Sequence, residues 1–376
     1  MKFLHLADLH LGKCVLEASM LEDQQHFLED VLEIALQEQV NAIVAAGDLY
    51  DRSVPPAEAV EVLDAFLQKA NQAGISVLAV SGNHDSPERL QFLSGILAQQ
   101  GVHIAGLYDG CLRRVTLEDE HGPVHFYLLP FVKPAFVRHA LHRDTADTDA
   151  AVRAALEGYP EQMKERNVLV AHQFVCAGGA QPATCESETL SVGGTDQVDV
   201  SAFDAFDYVS LGHLHQAQAV GRETVRYAGS PLKYSLSETR HRKSVALVTM
   251  EEKGQVDIRL IPVLPRRDLR RICGELPDLL AAAREAQEGR EDYIWAVLTG
   301  DPGLDPAQRL RLLYPNLLHV ETVCQEAEMK AEEEESLSPQ LSEEELFDAF
   351  FRTVNGRSMS PSQQRRVETS LSRLRD

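Results

Sequence analysis

Seven side chains able to hold a metal ion are spread over the first 215 residues in five short motifs: Asp8-Leu9-His10, Gly47-Asp48, Gly82-Asn83-His84-Asp85, His172 and Gly212-His213-Leu214-His215. The set (Asp8, His10, Asp48, Asn83, His172, His213, His215) is carboxylate, amide and imidazole with no thiolate. Such mixed N/O ligation suits Mn²⁺, Fe²⁺ or Zn²⁺, and donor softness alone does not choose among them. Two divalent cations roughly 3.5–4 Å apart need an anion between them. A short carboxylate on a Gly-Asp turn, Asp48, is the natural candidate. Asp8 and His10 lie two residues apart, as do His213 and His215, which puts both members of each pair on one face of an extended segment so that each pair can chelate. A centre of this kind activates water and clamps a phosphoryl oxygen, which is phosphoester hydrolysis. His84, beside Asn83, suits a general acid or a group that orients the scissile phosphate. Taken singly, Asp-x-His reads as a surface turn and Gly-His-x-His as a strand-end turn. The argument for a metal centre rests on all five motifs, in order, each following an apolar strand.

Those strands come from a pattern that alternates short apolar runs with helix-period segments, as βαβ units do. Phe3–Ala7, Ala42–Ala46, Ser76–Val80 and Val102–Ala105 read as strands, with helices near Glu22–Glu38, Ala57–Ala73 and Pro87–Gln99. Further on, Leu112–Leu117 and Val124–Leu129 read as a hairpin, Asp147–Glu165 as a helix, and Val168–Ala171 and Tyr208–Leu211 as strands. Ser244–Met250 and Val256–Ile261 form a second hairpin around Lys253-Gly254. The expectation is an α/β fold, a layered sandwich of mixed sheets with covering helices. Ligands of open α/β sheets sit beyond the carboxyl ends of the strands, where all five motifs fall. Cys176, just before the Gly-rich loop from Ala177 to Gly194, and Cys185, within it, read as bystanders.

After Pro262 and Pro265, the segments Leu269–Cys273, Leu276–Ala286, Tyr293–Leu298, Pro306–Leu313 and Leu317–Val323 predict a small separate α/β unit. Residues 326–348 then carry ten acidic side chains against one Lys, a run that repels itself and reads as a solvated linker. Two helices close the chain. Ser342-Glu343-Glu344-Glu345 has capping-box spacing before Leu346, Phe347, Phe350 and Phe351, and a second stretch carries Val367 and Leu371. These apolar positions are candidates for docking a partner. Arg266, Arg267, Arg270 and Arg271 are candidate phosphate contacts, as are Arg240, Arg242 and Lys243, with a solvated face as the plainer reading.

Composition bounds the rest. In 376 residues, 36 Lys plus Arg against 58 Asp plus Glu give a net charge of −22, which argues against a generally basic nucleic-acid binder without excluding a local cleft. Apolar residues at 44% and charged residues at 25% are ordinary for a folded chain. Six scattered cysteines with no CxxC pair fit neither a disulfide scaffold nor a zinc ribbon. The N-terminal apolar run is broken by His5, Asp8 and His10, so no signal peptide is expected, and no run reaches membrane-spanning length. A cytoplasmic protein is the expectation. The chain has no phosphate-binding GxxxxGKS or GxxxxGKT loop of its own.

The order DxH, GDxxD, GNHD, H, GHxH resembles the calcineurin-like metallophosphoesterases from residue 8 to residue 215. His5-Leu-Ala-Asp-Leu-His-Leu-Gly12, Ala46-Gly-Asp-Leu-Tyr-Asp51, Leu190-Ser-Val-Gly-Gly-Thr195, Phe206-Asp-Tyr-Val-Ser-Leu-Gly-His-Leu-His215 and Tyr227-Ala-Gly-Ser-Pro231 are similar to the branch of that superfamily acting in double-strand-break repair. The resemblance implies a nuclease domain over residues 1–264, an α/β DNA-binding capping domain over 265–325, an acidic linker over 326–341 and partner-docking helices over 342–376. It implies that Asp8, His10, Asp48 and His215 hold one Mn²⁺, that Asp48, Asn83, His172 and His213 hold the other, and that His84 is catalytic. Asp51 stands where archaeal relatives carry a His, so a second histidine acting on the leaving group is not expected. The implied activity is an ATP-regulated DNA nuclease, a 3′→5′ exonuclease on duplex ends and an endonuclease on hairpins and single strands, serving repair, recombination and replication. The implied partner is an ABC-type ATPase with a long coiled coil, in a complex of two nuclease and two ATPase subunits, with the nuclease a homodimer. Two other readings stand beside it. Gly47-Asp48-Leu-Tyr-Asp51-Arg52 also resembles the phosphatase motif GDxxDR, with Ser53 where that motif continues with Gly; and a metal-free scaffold would have lost ligands that are all present here.

Overall fold

The computed structural model describes residues 1–188, 196–286 and 288–323, with isolated positions between 347 and 367. Two six-stranded mixed sheets form the body. In the first, the strands Val256–Pro262, Ser244–Met250, Lys2–Leu6, Ala42–Ala46, Ser76–Val80 and Val102–Ala105 lie side by side in that order. The last four run parallel, in register Phe3 opposite Ala42 and Ala42 opposite Ser76. In the second the order is Gln218–Val220, Arg222–Tyr227, Tyr208–Gly212, Arg166–His172, Gly122–Leu129 and Arg113–Asp119. Tyr208–Gly212 and Arg166–His172 are parallel, with Gly212 opposite His172.

The sheets pack through one apolar cluster that includes Phe3, Val44, Val80, Phe126, Val168 and Tyr208. Strands buried on both faces read as continuous apolar runs, which is why Ala42–Ala46 and Tyr208–Gly212 show no alternation. Helices Leu21–Gln37 and Ala57–Gln72 cover the outer face of the first sheet with Phe27, Leu28, Val31, Leu63 and Phe66 at helical spacing. Helices Pro134–Leu141 and Thr148–Ala155 cover the second sheet.

Both predicted hairpins form, with Val115 opposite Phe126 and Leu247 opposite Arg259. Two predicted helices are shorter or broken. The one expected over Asp147–Glu165 is capped by Asp147 on the Ala150 N–H at 2.8 Å and stops at Ala155, ahead of Gly158 at φ +84° and Pro160. The one expected over Pro87–Gln99 divides at Leu93, whose φ is +60°, into Pro87–Gln91, Ser94–Leu97 and a 3₁₀ turn; Gln91 turns back to take the Gly106 N–H at 2.9 Å.

By packing, Met1–Leu298 with Pro302–Glu321 make one compact unit, and Thr299–Asp301 with Thr322–Asp376 a second. The small three-stranded sheet, Leu269–Gly274, Tyr293–Thr299 and Leu317–Val323, has helices Leu276–Glu285 and Pro306–Arg311 against it and its own apolar cluster. Within the first unit, Asp23 of helix Leu21–Gln37 takes the Tyr293 hydroxyl at 2.7 Å and Arg267 at 2.8 Å. The acidic segment 326–341, together with Leu346, Phe350 and Leu371, lies outside the described residues, as do Leu190–Thr195. Phe347 is exposed, and Phe351 and Val367 are half-buried.

One polar side chain spans the two sheets. His5 is fully buried; its Nδ1 meets the Tyr208 hydroxyl at 3.0 Å and its Nε2 the Leu211 carbonyl at 3.1 Å. The carbonyl only accepts, so Nε2 carries the proton and Nδ1 accepts from the tyrosine. Burial, aided by the Arg226 charge, holds the imidazole down at about 3, against 6.5 when free. The folded chain therefore keeps His5 neutral while the unfolded chain takes a proton below about pH 6.5, and the stability contributed at neutral pH is lost as pH falls through that value. Replacing His5 with Gln removes this linkage. In differential scanning calorimetry, the Tm gap between parent and His5→Gln should narrow from pH 7 to pH 4.5; a constant gap would refute the assignment.

Candidate metal centre

The carboxyl ends of five strands from the two sheets meet at one edge, and every metal-capable residue of the sequence motifs lies there. The loop after Lys2–Leu6 and the loop after Ala42–Ala46 run together as a short ladder. Asp8 N–H donates to the Gly47 carbonyl at 3.1 Å, His10 N–H to that of Asp48 at 2.9 Å, and Leu11 N–H to that of Leu49 at 3.0 Å. The Asp85 carboxylate pins a third loop to the second by accepting N–H groups from Gly82 at 2.9 Å, Leu49 at 3.1 Å and Tyr50 at 2.9 Å. Gln24 holds the first loop from the helix side through the carbonyls of Leu9 at 3.1 Å and His10 at 2.7 Å.

The ligand atoms converge. Asp48 Oδ2 lies 3.3 Å from His172 Nε2 and 3.6 Å from His10 Nε2, between the two imidazoles. Asn83 Oδ1 is 3.0 Å from His172 Nε2 and 3.1 Å from His213 Nδ1. His10 Nε2 and His215 Nε2 face each other at 3.2 Å. The donor atoms of Asp8, His10 and His215, and those of Asp8, Asp48 and His172, each fall within 4.8 Å of one another. Asp8 Oδ2 and His213 Nε2 are buried with no hydrogen-bond partner. Orphaned buried acceptors beside facing imidazole nitrogens are costly in a dry site unless a cation fills the space. The donor set therefore fits two divalent ions.

The electrostatics of the cluster are mixed. Burial holds His213 down at about 3 and His215 at about 4, and it also lowers His10, so three imidazoles are neutral as metal ligation requires. Burial opposes charge on His172 as well, but the adjoining Asp48 carboxylate outweighs it and lifts the ring to about 9. Asp8, buried among carboxylates, is pushed well above the usual range. Asp85 rises to about 6 through burial and the charge of Asp48.

Backbone strain concentrates here. Asp8, His10, Asp48 and His213 adopt φ of +53°, +46°, +50° and +109°. Left-handed conformations at residues other than glycine cost on the order of 1–3 kcal/mol each and persist only where the surroundings enforce them. Asp8 accepts the His213 N–H at 2.9 Å, and Asp48 Oδ1 accepts the His84 N–H at 2.8 Å. His84 is half-buried at the rim; its Nδ1–H donates to the Asp51 carbonyl at 2.9 Å, which leaves Nε2 as its free nitrogen.

Several residues support the centre in ways the sequence did not assign. Asp51 faces His10 Nδ1 at 3.5 Å and is paired with Lys13 at 2.8 Å. Asp85 carried no assigned role despite its place in Gly82-Asn83-His84-Asp85. Ser187, Glu188, Glu238 and Lys243 surround His215. Only the motif Tyr227–Pro231 hinted that the chain near Ser230 returns to the centre.

Of the arginines read as phosphate contacts, Arg266 pairs with Glu22, Arg267 with Glu22 at 2.6 Å and Asp23 at 2.8 Å, and Arg270 with Asp292 at 2.6 Å. Arg271 is exposed beside Arg240 in a groove of about 720 Å³ shared with Glu186 and Ser237. Lys243 is buried rather than surface-facing.

Gly212 shows how tightly the edge is closed. A Cβ at this position would lie 1.9 Å from the Ala46 carbonyl oxygen and 2.8 Å from His172 Nδ1; one at Gly82 would lie 2.1 Å from Asp48 Oδ1. Gly212→Ala should therefore part the strands at the centre, costing about 1–3 kcal/mol and lowering the metal content of the purified protein below two ions. Elemental analysis and thermal melting check this; full metal content with an unchanged Tm would contradict it.

Comparison with known proteins gives a family model described as calcineurin-like phosphoesterase over residues 1–217 and one described as type 5 capsule protein repressor C-terminal domain over residues 265–355. The chain is 30% identical over 380 aligned residues to the SbcCD nuclease SbcD of Staphylococcus saprophyticus, covering 100% of this chain and 98% of that protein. Among solved structures it is similar to a dimetal phosphatase from Danio rerio (TM-score 0.43, 13% identity, 70% of this chain and 97% of the other). It is also similar to a Thermus thermophilus protein (TM-score 0.39, 12% identity, 69% of this chain and 98% of the other).

Proposed function

Because this chain belongs to the calcineurin-like phosphoesterase family and, within it, to the SbcD nucleases, we propose that it is an Mn²⁺-dependent DNA nuclease whose chemistry is two-metal phosphodiester hydrolysis. The observation that carries the reading is the single Asp48 oxygen lying between His172 and His10. Asp8, His10, Asp48 and His215 would hold one ion, and Asp48, Asn83, His172 and His213 the other. When bound, the ions supply Lewis-acid polarisation of the phosphoryl group and an activated water.

The chain's own residues do the positioning. The carboxylate of Asp48 is fixed by the His84 N–H, so the catalytic histidine and the shared ligand move as one piece. With its Nδ1–H on the Asp51 carbonyl, His84 turns Nε2 outward; in the imidazolium form the second proton, on Nε2, would orient the scissile phosphate or pass to the leaving oxygen. No second histidine acts there: Asp51 occupies that place and is paired with Lys13.

In this reading the activity is 3′→5′ exonuclease on duplex ends and endonuclease on hairpins and single strands, in DNA repair, recombination and replication. An SbcC-type ABC ATPase with a coiled coil gates it, in a complex of two nuclease and two ATPase subunits in the cytoplasm. Among the described residues no helix is long and apolar enough to cross a membrane. Residues 265–325 cap the nuclease body and face DNA, the linker 326–341 follows, and residues 342–376 dock the ATPase through Leu346, Phe347, Phe350, Phe351, Val367 and Leu371. Arg271 and Arg240 are the guanidinium groups best supported as phosphate contacts, since Arg266, Arg267 and Arg270 are engaged by carboxylates.

A homodimer is supported by exposed apolar side chains at Phe92, Leu93 and Ile96, with Val54 and Val60 also exposed. Apolar groups left in water in such number mark an association surface. Phe92→Asp with Ile96→Asp should convert a dimer to a monomer by light scattering; an unchanged mass would remove this face from the interface.

For the chemistry, purified full-length protein with Mn²⁺ should digest linear duplex and open hairpins. His84→Ala should keep its metal and lose cleavage by roughly 10²–10⁴-fold. Parental cleavage by the variant would sink the role of His84. Robust phosphopeptide turnover with no action on DNA would favour a phosphatase, and a protein that takes up no transition metal would favour a scaffold.

A further inference from the structure

His215 is held at three points. Its N–H donates to Glu188 Oε1 at 2.6 Å, its carbonyl accepts from Lys243 Nζ at 2.9 Å, and its Nδ1 lies 2.7 Å from Ser187 Oγ. The serine hydroxyl in turn donates to Glu238 Oε1 at 2.6 Å. Glu238 is fully buried and also receives Lys243 Nζ at 2.6 Å, the Tyr234 N–H at 3.1 Å and the Ser235 hydroxyl at 3.1 Å.

Counting protons decides the tautomer. A carboxylate ringed by donors and paired with a buried ammonium can only accept. The single Ser187 proton goes to it, so the serine oxygen must accept from His215, and Nδ1 carries the imidazole proton. Nε2 is then left with its lone pair, on the side of Asp8 and His10, where a ligand nitrogen is needed. Lys243 has three protons and three acceptors, the His215 carbonyl, Glu238 and Ser230 Oγ at 2.7 Å. It has none left for a phosphate.

We propose that Glu238, acting through Ser187, is the positioning residue that presents His215 to its metal ion, and that Lys243 belongs to this internal relay and not to a DNA-contacting surface. The proposal rests on the two-metal reading above and adds to it the residues that fix one ligand. Carboxylate or hydroxyl partners behind ligating histidines fix ring orientation and raise ligand basicity.

The test uses the full chain, stripped with chelator and titrated calorimetrically with Mn²⁺ alone. Ser187→Ala should weaken one of two sites by roughly 10–100-fold and leave the other within about twofold, as loss of a partner behind a ligating histidine does. Ser187→Thr, which keeps the hydroxyl, should restore binding, while the melting temperature of metal-free Ser187→Ala stays at the parental value. Glu238→Gln should follow Ser187→Ala. Two undisturbed sites in Ser187→Ala would overturn the proposal. So would equal weakening of both sites with a lowered metal-free Tm, the signature of a merely structural role. A parent that binds no Mn²⁺ is a separate result, and it would overturn the two-metal reading itself.

Discussion

One hydrogen bond fastens the two sheets where the chemistry would take place. His172 ends a strand of the second sheet, Ala46 ends a strand of the first, and the His172 Nδ1–H donates to the Ala46 carbonyl at 2.8 Å. The bond ties Nδ1 to the first sheet and so turns Nε2 toward Asp48 and Asn83. It also sets how closely the strands must approach, and the lack of a side chain at Gly47 and Gly212 follows from it. A Cβ at Gly47 would lie 2.3 Å from His172 Nδ1, and one at Gly212 would strike the Ala46 carbonyl.

Around that fixed point the chain gathers groups that repel one another or are starved of partners. Asp8 and Asp48 are buried side by side, Asp85 is close enough to feel the charge of Asp48, and four of the loop residues sit in left-handed conformations. Without cations the arrangement costs stability that packing elsewhere must offset. Two divalent ions would turn the carboxylates from mutual repulsion to ligation and leave the cleft attractive to phosphate. The net charge of −22 is thus less at odds with a DNA substrate than the bare sum suggests.

The surface tells a complementary story. Basic residues that read in sequence as two phosphate-facing groups are drawn by the fold into internal duties: Arg267 and Tyr293 share Asp23, Arg270 is held by Asp292, and Lys243 is buried behind His215. If the substrate is DNA, as proposed, its long-range attraction by the lone chain would be correspondingly weak, since phosphate contacts by Lys and Arg supply most non-specific affinity. On the proposed reading, tight holding of DNA would fall to a partner.

Much of this was legible in the residues themselves. Apolar runs buried on both faces announce central strands, and each run ends in a motif rich in Asp, His and Gly, so the strands and the gathering of the seven candidate ligands at their ends could be read in advance. The hairpins at Val115–Phe126 and Leu247–Arg259 followed from alternation around turn residues. What local pattern could not decide is which side chains share a proton or a charge across distant segments. Ser187, Glu238 and Lys243 reach His215 from 28 residues or fewer along the chain, yet on loops with no periodic signal. Asp85 looks like one more ligand until its three backbone partners are counted. The break at Leu93 was likewise set by the tertiary structure, where Gln91 turns back to the Gly106 N–H, whereas the end after Ala155 follows the local Gly158 and Pro160. Residue types and their spacing determined the kind of chemistry; the packing of two sheets decided which nitrogen, which oxygen and which charge would face it.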